Sequence, residues 1–442
     1  MPYTEANLTN LSADLAASLG DPDQRFWPLL ELKSLVRESL RTWNAFTAYW
    51  RERRQFTTTI NENFYDLSLV GSPTPVLSTA SDLAFLLNDL QFALMEPYFA
   101  FTSPSEWAHF PTSGQFTSEE IFSALSRAVA QFNFDTGVML VKEPPVPLSP
   151  LSGFIAFPEK VSDVRRVGLL DTGGFRWRLQ RQDEYETQHR RNPEDLFTPG
   201  TPEGYSFILS PQPGIRLLPA PTMLGQVEAI TTHSDLVPPL DLAWAVKWLA
   251  LHHLLSQDGQ SRDHFRASYC LKRYRDALVL GRMLPSYMIG YVNGRPAPIS
   301  AISDEDSWNP GWPNTPAASP TGMLSLGWNL LALTPTPNAG PYSITLDGVV
   351  QAAIPDVDPI QIAQEHLGAI LGYAKHVALF KVGGGEFAQS QHLWERFFDA
   401  AVEYNGKLAA ESKNFQLMVD RAARDKEQRK VRREQAMSEG GM

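Results

Sequence analysis

Cysteine is almost missing from this chain: Cys270 is the only one in 442 residues. One thiol cannot build an intramolecular disulfide framework or a thiolate zinc cluster, so a free thiol is expected. Long apolar runs are missing too. None approaches the roughly 20 residues that cross a bilayer. The opening MPYTEANLTNLSADL lacks a basic region followed by an apolar core, so neither a membrane span nor a signal peptide is expected, and the chain reads as cytoplasmic. Excess positive charge is also lacking: 38 Lys and Arg face 49 Asp and Glu, a formal net charge of -11. That argues against a general nucleic-acid binder, whose grip depends on clustered cations. It suits a conduit through which DNA slides without sticking. A Walker-type Gly-Lys-Ser/Thr loop, a dinucleotide Gly-x-Gly-x-x-Gly and a His-Glu-x-x-His pair are all lacking. No cofactor, metal site or catalytic residue is therefore expected.

An apolar content of 43% supports a real core. From Leu8 to Leu67 a short helical pattern breaks at Gly-Asp-Pro-Asp and resumes with Leu29, Leu32, Val36, Leu40 and Trp43, the spacing of an amphipathic helix. Strand composition follows around FYDL, then a helical pattern through DLAFLLNDLQFAL. The alternation predicts an α+β fold: helical bundle units with small antiparallel β-sheets.

Repetition is the strongest internal signal. Glu31, Leu32, Ser34, Val36, Leu40, Trp43 and Asn44 match Glu120, Ile121, Ser123, Leu125, Val129, Phe132 and Asn133 at an offset of 89. Later, Leu218-Pro-Ala-Pro221 matches Thr334-Pro-Thr-Pro337 at 116, Pro239 and Ala243 match Pro359 and Ala363 at 120, and Arg273-Tyr-Arg-Asp-Ala277 matches Arg396-Phe-Phe-Asp-Ala400 at 123. Slow growth of the offset is what small loop insertions between duplicated elements produce. The reading is a tandem duplication, each later copy running strand, Pro-x-Pro edge, strand, Pro-capped helix, turn, helix. Arg273 and Arg396, with Asp276 and Asp399 three residues on, are expected at matching places.

The organisation predicted is 1–110 as an N-terminal helical/β unit, 111–290 as a second helical unit with sheet and helix pair, and 291–322 as a Pro/Gly-rich exposed loop. Residues 323–407 form the duplicated β and helix-pair unit, and 408–442 a charged C-terminal arm. The arm sets Arg421, Arg424, Lys426, Arg429, Lys430, Arg432 and Arg433 against Asp420, Asp425, Glu427 and Glu434. A segment polar nearly all round has no face to bury in its own domain and suits docking on a mixed-charge partner. His252 and His253, adjacent on one helix, point about 100° apart and make poor co-ligands. The Gly383–Gly385 stretch reads as a turn between helices, and carboxylates before a helix, such as Asp356, as caps. Trp308 and Trp312 either pin the loop onto its own domain or meet a partner.

The ordered set GDPDQRFWPLLELKSLVRESLRTW, FYDL, the Trp177 strand, TPGTPEGYSF, IRLLPAPT and LVPPLDLAWAVKWLALHHLLSQDG resembles the head-to-tail connector (adaptor) family of tailed-bacteriophage necks. The resemblance covers Leu8 to about Leu280 and, more faintly, the second copy. It implies a non-enzymatic virion protein assembled in the host cytoplasm: a ring beneath the portal, usually twelvefold, with DNA passing through its lumen. The C-terminal arm would dock on the portal, and tail or neck proteins would attach elsewhere. The alternative from the residues is a phage-borne glycan hydrolase with Trp308 and Trp312 as platform and two carboxylates among Asp304, Glu305, Asp306 and Asp356 as acid and base, which would have to face one another across roughly 5 to 10 Å.

Overall fold

The computed structural model describes residues 6–67, 84–96, 115–182, 199–257, 263–283, 287–309, 311–314, 316–317, 319–349 and 354–408. Its helices are α1 (Leu8–Ser18), α2 (Leu29–Thr47), α3 (Ala84–Leu94), α4 (Ser118–Thr136), α5 (Ala243–Leu255), α6 (His264–Met283), α7 (Ile302–Trp308), α8 (Gln364–Phe380), α9 (Gly384–Gln389) and α10 (Gln391–Leu408). With several small sheets they make an α+β fold.

Local chemistry explains the helix ends. Asn7 caps α1, its side chain accepting from the Asn10 amide, and Thr117 with Glu120 closes a capping box on α4. Helices α2 and α4 both stop at a left-handed residue, Ala48 and Gly137, again 89 apart. Every residue that α4 buries (Ile121, Ala124, Leu125, Ala128, Val129, Phe132, Asn133) has a buried counterpart in α2 at that offset. The inward faces of the two helices are thus the same face.

The sheets repeat more fully than the helices. In one unit, strand Ser343–Val349 lies between Arg51–Thr57 and Tyr287–Val292, and the latter pairs with Arg295–Ala297. In the other, Gly225–His233 lies between the short strands Val141–Lys142 and Val146–Leu148 on one side and Val161–Asp171 on the other, which pairs with Arg176–Arg178. All of these pairings are antiparallel. The second sheets match as well. The order 64–66, 330–334, 322–326, 299–301 ends in a parallel pair, as does 154–156, 214–218, 204–208, 180–181. The peptides before Pro219 and Pro335 are both cis.

The duplication is therefore nested, which corrects the tandem reading. An inner unit, contiguous from α4 to α6, is inserted into an outer unit made of 29–66 and 287–408. The strand Tyr287–Val292 completes the sheet that Arg51–Thr57 began. All the long helices share one core, from Leu8 to Ala401, while the inner sheets pack around Val164, Val167, Leu169 and Ile215, and the outer sheets around Met323, Leu331, Leu333 and Ile344.

The stretch expected to be an exposed loop is largely folded. It contains Arg295–Ala297, Ile299–Ala301, α7 and a single turn at Trp312–Asn314. Pro296 falls in the edge strand Arg295–Ala297, where a missing donor costs no central hydrogen bond, and Pro313 in the turn Trp312–Asn314, so composition alone mislabelled the stretch.

Candidate functional site: the interface between the two units

Helix α5, AWAVKWLALHHLL, buries almost its whole surface, with Lys247 inside a run that has no polar face. It lies between α2 of the outer unit and α4 of its own, so Lys247 meets an acidic partner or loses its charge. Glu38 of α2 supplies that partner through a direct ion pair, both side chains being almost fully buried. Asp89 of α3 adds a second carboxylate, hydrogen-bonded by Ser34. Burial pushes Asp89 up to about 6, against the pull of Lys247. For Lys247 burial works against the charge, but Glu38 and Asp89 outweigh it and its pKa is raised. Arg37, Glu38, Arg41, Phe85, Asp89 and Trp244 help line a cavity of about 140 Å³ beside this cluster.

The chain of polar contacts continues across the bundle. Tyr373 of α8 donates to Glu38 at 3.4 Å and accepts from Arg273 Nη2 at 2.9 Å. Arg273 is fully buried, and its guanidinium carbon lies 3.4 Å from the Trp394 ring centre, with Trp244 and Tyr373 also around it. Its Nε and Nη1 have no hydrogen-bond partner, so ring faces take the place of acceptors. Nearby, Tyr269 meets His376 Nε2 at 2.6 Å, and burial, reinforced by Arg273, lowers His376 to about 3, keeping it neutral. At the end of the bundle Lys381 pairs with Glu31 at 2.8 Å, and burial, opposed by Lys381, raises Glu31 to about 7.

Chemically the Glu38–Lys247 pair is a lock. A carboxylate bound to an ammonium is a weak base, and a lysine held charged is no nucleophile. Burial pushes the Cys270 thiol far up, leaving it unreactive. Among the described residues no group of three or more His, Cys, Asp or Glu could hold a metal ion.

The contact between the units joins unlike faces. The inner unit contributes Asp241, Trp244, Lys247, Tyr269 and Arg273; the outer unit contributes Glu38, Asn44, Phe46, Tyr373, His376 and Trp394. A two-fold relation would repeat each contact with the roles exchanged. It does not. The outer counterparts of Tyr269 and Arg273 are His392 and Arg396, and both are exposed. The inner counterpart of Glu38 is the exposed Arg127, and Asn133, counterpart of Asn44, donates to Leu236 O of its own unit at 2.5 Å. Arg273 and Arg396 thus stand at matching positions of equivalent helices but in unlike surroundings: Arg273 is buried in the interface, whereas Arg396 is exposed.

The sheets meet in the same one-way fashion. The outer hairpin tip Gly327–Asn329 presses on Val138–Leu140 of the inner unit. Trp328 N donates to Val138 O at 2.6 Å, while Asn329 accepts from Leu140 N at 2.9 Å and donates to Leu140 O at 2.8 Å. Beside it, Asp306 is bound by Arg166, by Arg178 at 2.9 Å and by the Trp312 indole at 2.9 Å.

Several residues singled out from sequence are thus placed. Trp312 is fully buried against Phe64 and Arg166 and pins its segment down, whereas Trp308 is 88% exposed. Asp304 and Glu305 lie in the first turn of α7. Asp356 pairs with Lys33 at 3.4 Å and Arg37 at 2.5 Å and caps no helix. Asp306 and Asp356 are therefore held in separate ion clusters, and the four carboxylates form no common site. His252 Nδ1 meets Ala267 O at 3.0 Å, an ordinary bond at a helix end. Gly383 opens the short helix α9. Arg421, Arg424, Lys426, Arg429, Lys430, Arg432 and Arg433 lie outside the described residues. The interface residues Glu38, Lys247 and Arg273 were missed as a group, although a lone Lys in the apolar run of α5 was a visible signal. No described helix is long and apolar enough to cross a membrane. No protein-family model and no curated protein matches this chain.

Proposed function

We propose that this chain is a structural subunit of a tailed-phage neck, a head-to-tail connector that assembles with its own copies into a ring beneath the portal. The ring passes DNA through its lumen and offers a surface to tail or neck proteins. The observation that carries the reading is the one-way contact between the two units. A contact between unlike faces leaves a counterpart face at each end, and where two such counterparts fit, repetition of the contact closes a ring when the rotation permits. An isologous contact would have stopped at the pair. The resemblance to the connector family supplies the location, in the virion after assembly in the host cytoplasm. The net charge of -11 is in keeping with a lumen that does not hold DNA. Arg421, Arg424, Lys426, Arg429, Lys430, Arg432 and Arg433 act in this reading as the portal-docking arm, with avidity around the ring supplying most of the affinity.

Native mass measurement of the purified chain tests the proposal. A closed oligomer of defined size, twelve copies in the resemblance's usual form, supports it. A monomer at all concentrations that hydrolyses polysaccharide would replace it with the hydrolase reading.

A further inference from the structure

The inner and outer units are built alike, so each surface that one uses against the other has a counterpart on its partner. At the sheet contact the outer tip is almost fully covered, Trp328 being 9% and Asn329 3% exposed, and its seat Val138–Leu140 is buried as well. The inner unit carries the corresponding tip, Leu209–Pro213, between strands Gly204–Ile208 and Gly214–Leu218, and there Leu209 is 59% exposed. The outer unit carries the corresponding seat, Tyr49–Arg51, directly after the left-handed end of α2, as Val138–Leu140 follows that of α4. Tyr49 and Trp50 are half-buried and Arg51 to Arg53 exposed. The inner tip is thus exposed at Leu209 and the outer seat at Arg51 to Arg53, while Tyr49 and Trp50 also pack on their own unit, Tyr49 against His366 and Tyr404, and Arg51 and Glu52 pair along one edge with Val349 and Gly348.

We infer that the tip Leu209–Pro213 of one copy docks on the segment Tyr49–Glu52 of a second copy, reproducing between chains the contact that Gly327–Asn329 makes with Val138–Leu140 within one. The inference rests on the ring reading above and names the surfaces that would build the ring.

The chemistry of the two halves agrees. Leu209 directly follows its strand, the place that Gly327 holds in the outer tip, and puts an exposed apolar side chain at the front of the longer inner tip. Gln212 stands near the place of Asn329 and offers the same amide to a backbone segment; at present it reaches Phe157 O at 3.3 Å. The seat offers Trp50 and Tyr49, packed edge to face at 5.1 Å, and Arg51, the residue types that most often anchor protein contacts. The inner tip has two residues more than the outer one, Leu209–Pro213 against Gly327–Asn329. The direction is also consistent. Within the chain the outer tip seats on the inner unit; between chains the inner tip would seat on the next outer unit, and the alternation continues around a ring.

Two variants of the full-length chain test this. In the first, Gln212→Cys is combined with Arg51→Cys under a mild oxidant; the native Cys270 is buried and stays inert. Docking gives disulfide-linked ladders of chains on non-reducing gels, and each single variant gives none. The second, Leu209→Glu, alters an exposed side chain, so the circular-dichroism melt stays as in the parent while sedimentation velocity shifts from oligomer to monomer. A parent ring with no ladder and an unshifted Leu209→Glu overturns the tip contact and leaves the ring reading standing. A ladder on an open or dimeric parent keeps the contact and overturns the closed ring. A parent that is monomeric at every concentration, with no ladder, overturns both.

Discussion

Replacing Lys247 with Met removes the cation that pairs with Glu38 and that, with Arg41, helps hold Asp89 ionised, while keeping the length and packing of the side chain. What remains is a pair of buried carboxylates facing a small cavity. Breaking a buried ion pair by removing one partner costs about 3–5 kcal/mol, because the other charge stays desolvated. With an unfolding entropy of about 2.1 cal/mol/K per residue, a 442-residue chain unfolding as one unit loses about 4 °C in Tm for a loss of about 4 kcal/mol. The pH dependence supplies a sharper signature. Asp89 already has a folded pKa raised from 3.8 to about 6. A carboxyl with a raised folded pKa contributes stability that is present below its unfolded pKa and is lost as pH rises through the folded one. Without Lys247 that pKa rises further, so the deficit of Lys247→Met is largest near pH 8 and shrinks towards pH 5. Urea titrations at several pH values measure this. The double variant Glu38→Gln/Lys247→Met loses less than Lys247→Met alone, with a coupling of roughly 2 kcal/mol. Single variants that each lose under about 1 kcal/mol and add in the double would refute the reasoning.

Glu31 gives a second pH effect: its folded pKa of about 7, against 4.5 when unfolded, corresponds to roughly 3 kcal/mol of stability lost as pH rises between those values, and Glu31→Gln flattens the urea midpoint over that window. Trp312→Ala empties a fully buried site and lowers stability by about 3–5 kcal/mol, whereas Trp308→Ala, on an 88% exposed side chain, changes the melt by under about 0.5 kcal/mol. Neutralising Asp304 and Glu305 together leaves the melt within the same margin, while Asp306→Asn, which strips the charge from beneath Arg166 and Arg178, lowers it measurably. Truncation after Leu408 leaves a folded, soluble chain that no longer joins the head; assembly of infectious particles from it would remove the arm from the proposal.

Much of the helical layout was legible because amphipathic spacing is local. The offset of 89 between α2 and α4 could be read from the apolar positions alone, and every residue that α4 buries has a buried counterpart in α2, which buries others besides. The nesting was not legible. Arg51–Thr57 has the composition of a strand, but nothing in it names Ser343–Val349 as partner, because period-2 alternation specifies a face and leaves the neighbour open. Trp308 and Trp312 looked equivalent for a similar reason. Their composition is shared, and only the short helix α7 and the turn after it aim one at Arg166 and the other at solvent. For the interface, Lys247 was conspicuous in its apolar run, yet Glu38 lies 209 positions away and its own helix offered other acids and bases as plausible partners.

The nested order also bears on why the charged residues are where they are. Two copies of one module begin with the same surfaces, and a one-way contact makes opposite demands on the two copies of each position. Position 273 of the inner unit must fit under Trp394, while its counterpart Arg396 faces solvent. Arginine serves both, since its flat guanidinium can stack on rings when buried and remain hydrated when exposed. Position 38 shows the opposite outcome, Glu beneath Lys247 in the outer unit and exposed Arg127 in the inner one, a sign reversal between equivalent sites. An inner α4 set against another copy's α5 would bring Arg127 towards the place that Lys247 occupies, cation against cation. The helical half of the interface thereby favours the intrachain pairing and disfavours its repetition. The sheet half carries no such reversal: the inner tip Leu209–Pro213 bears no charge, and in the seat Trp50 and Arg51 replace Met139 and Leu140, so no like charges meet. Copies can therefore meet through their sheets while each shared helical core stays closed within its own chain.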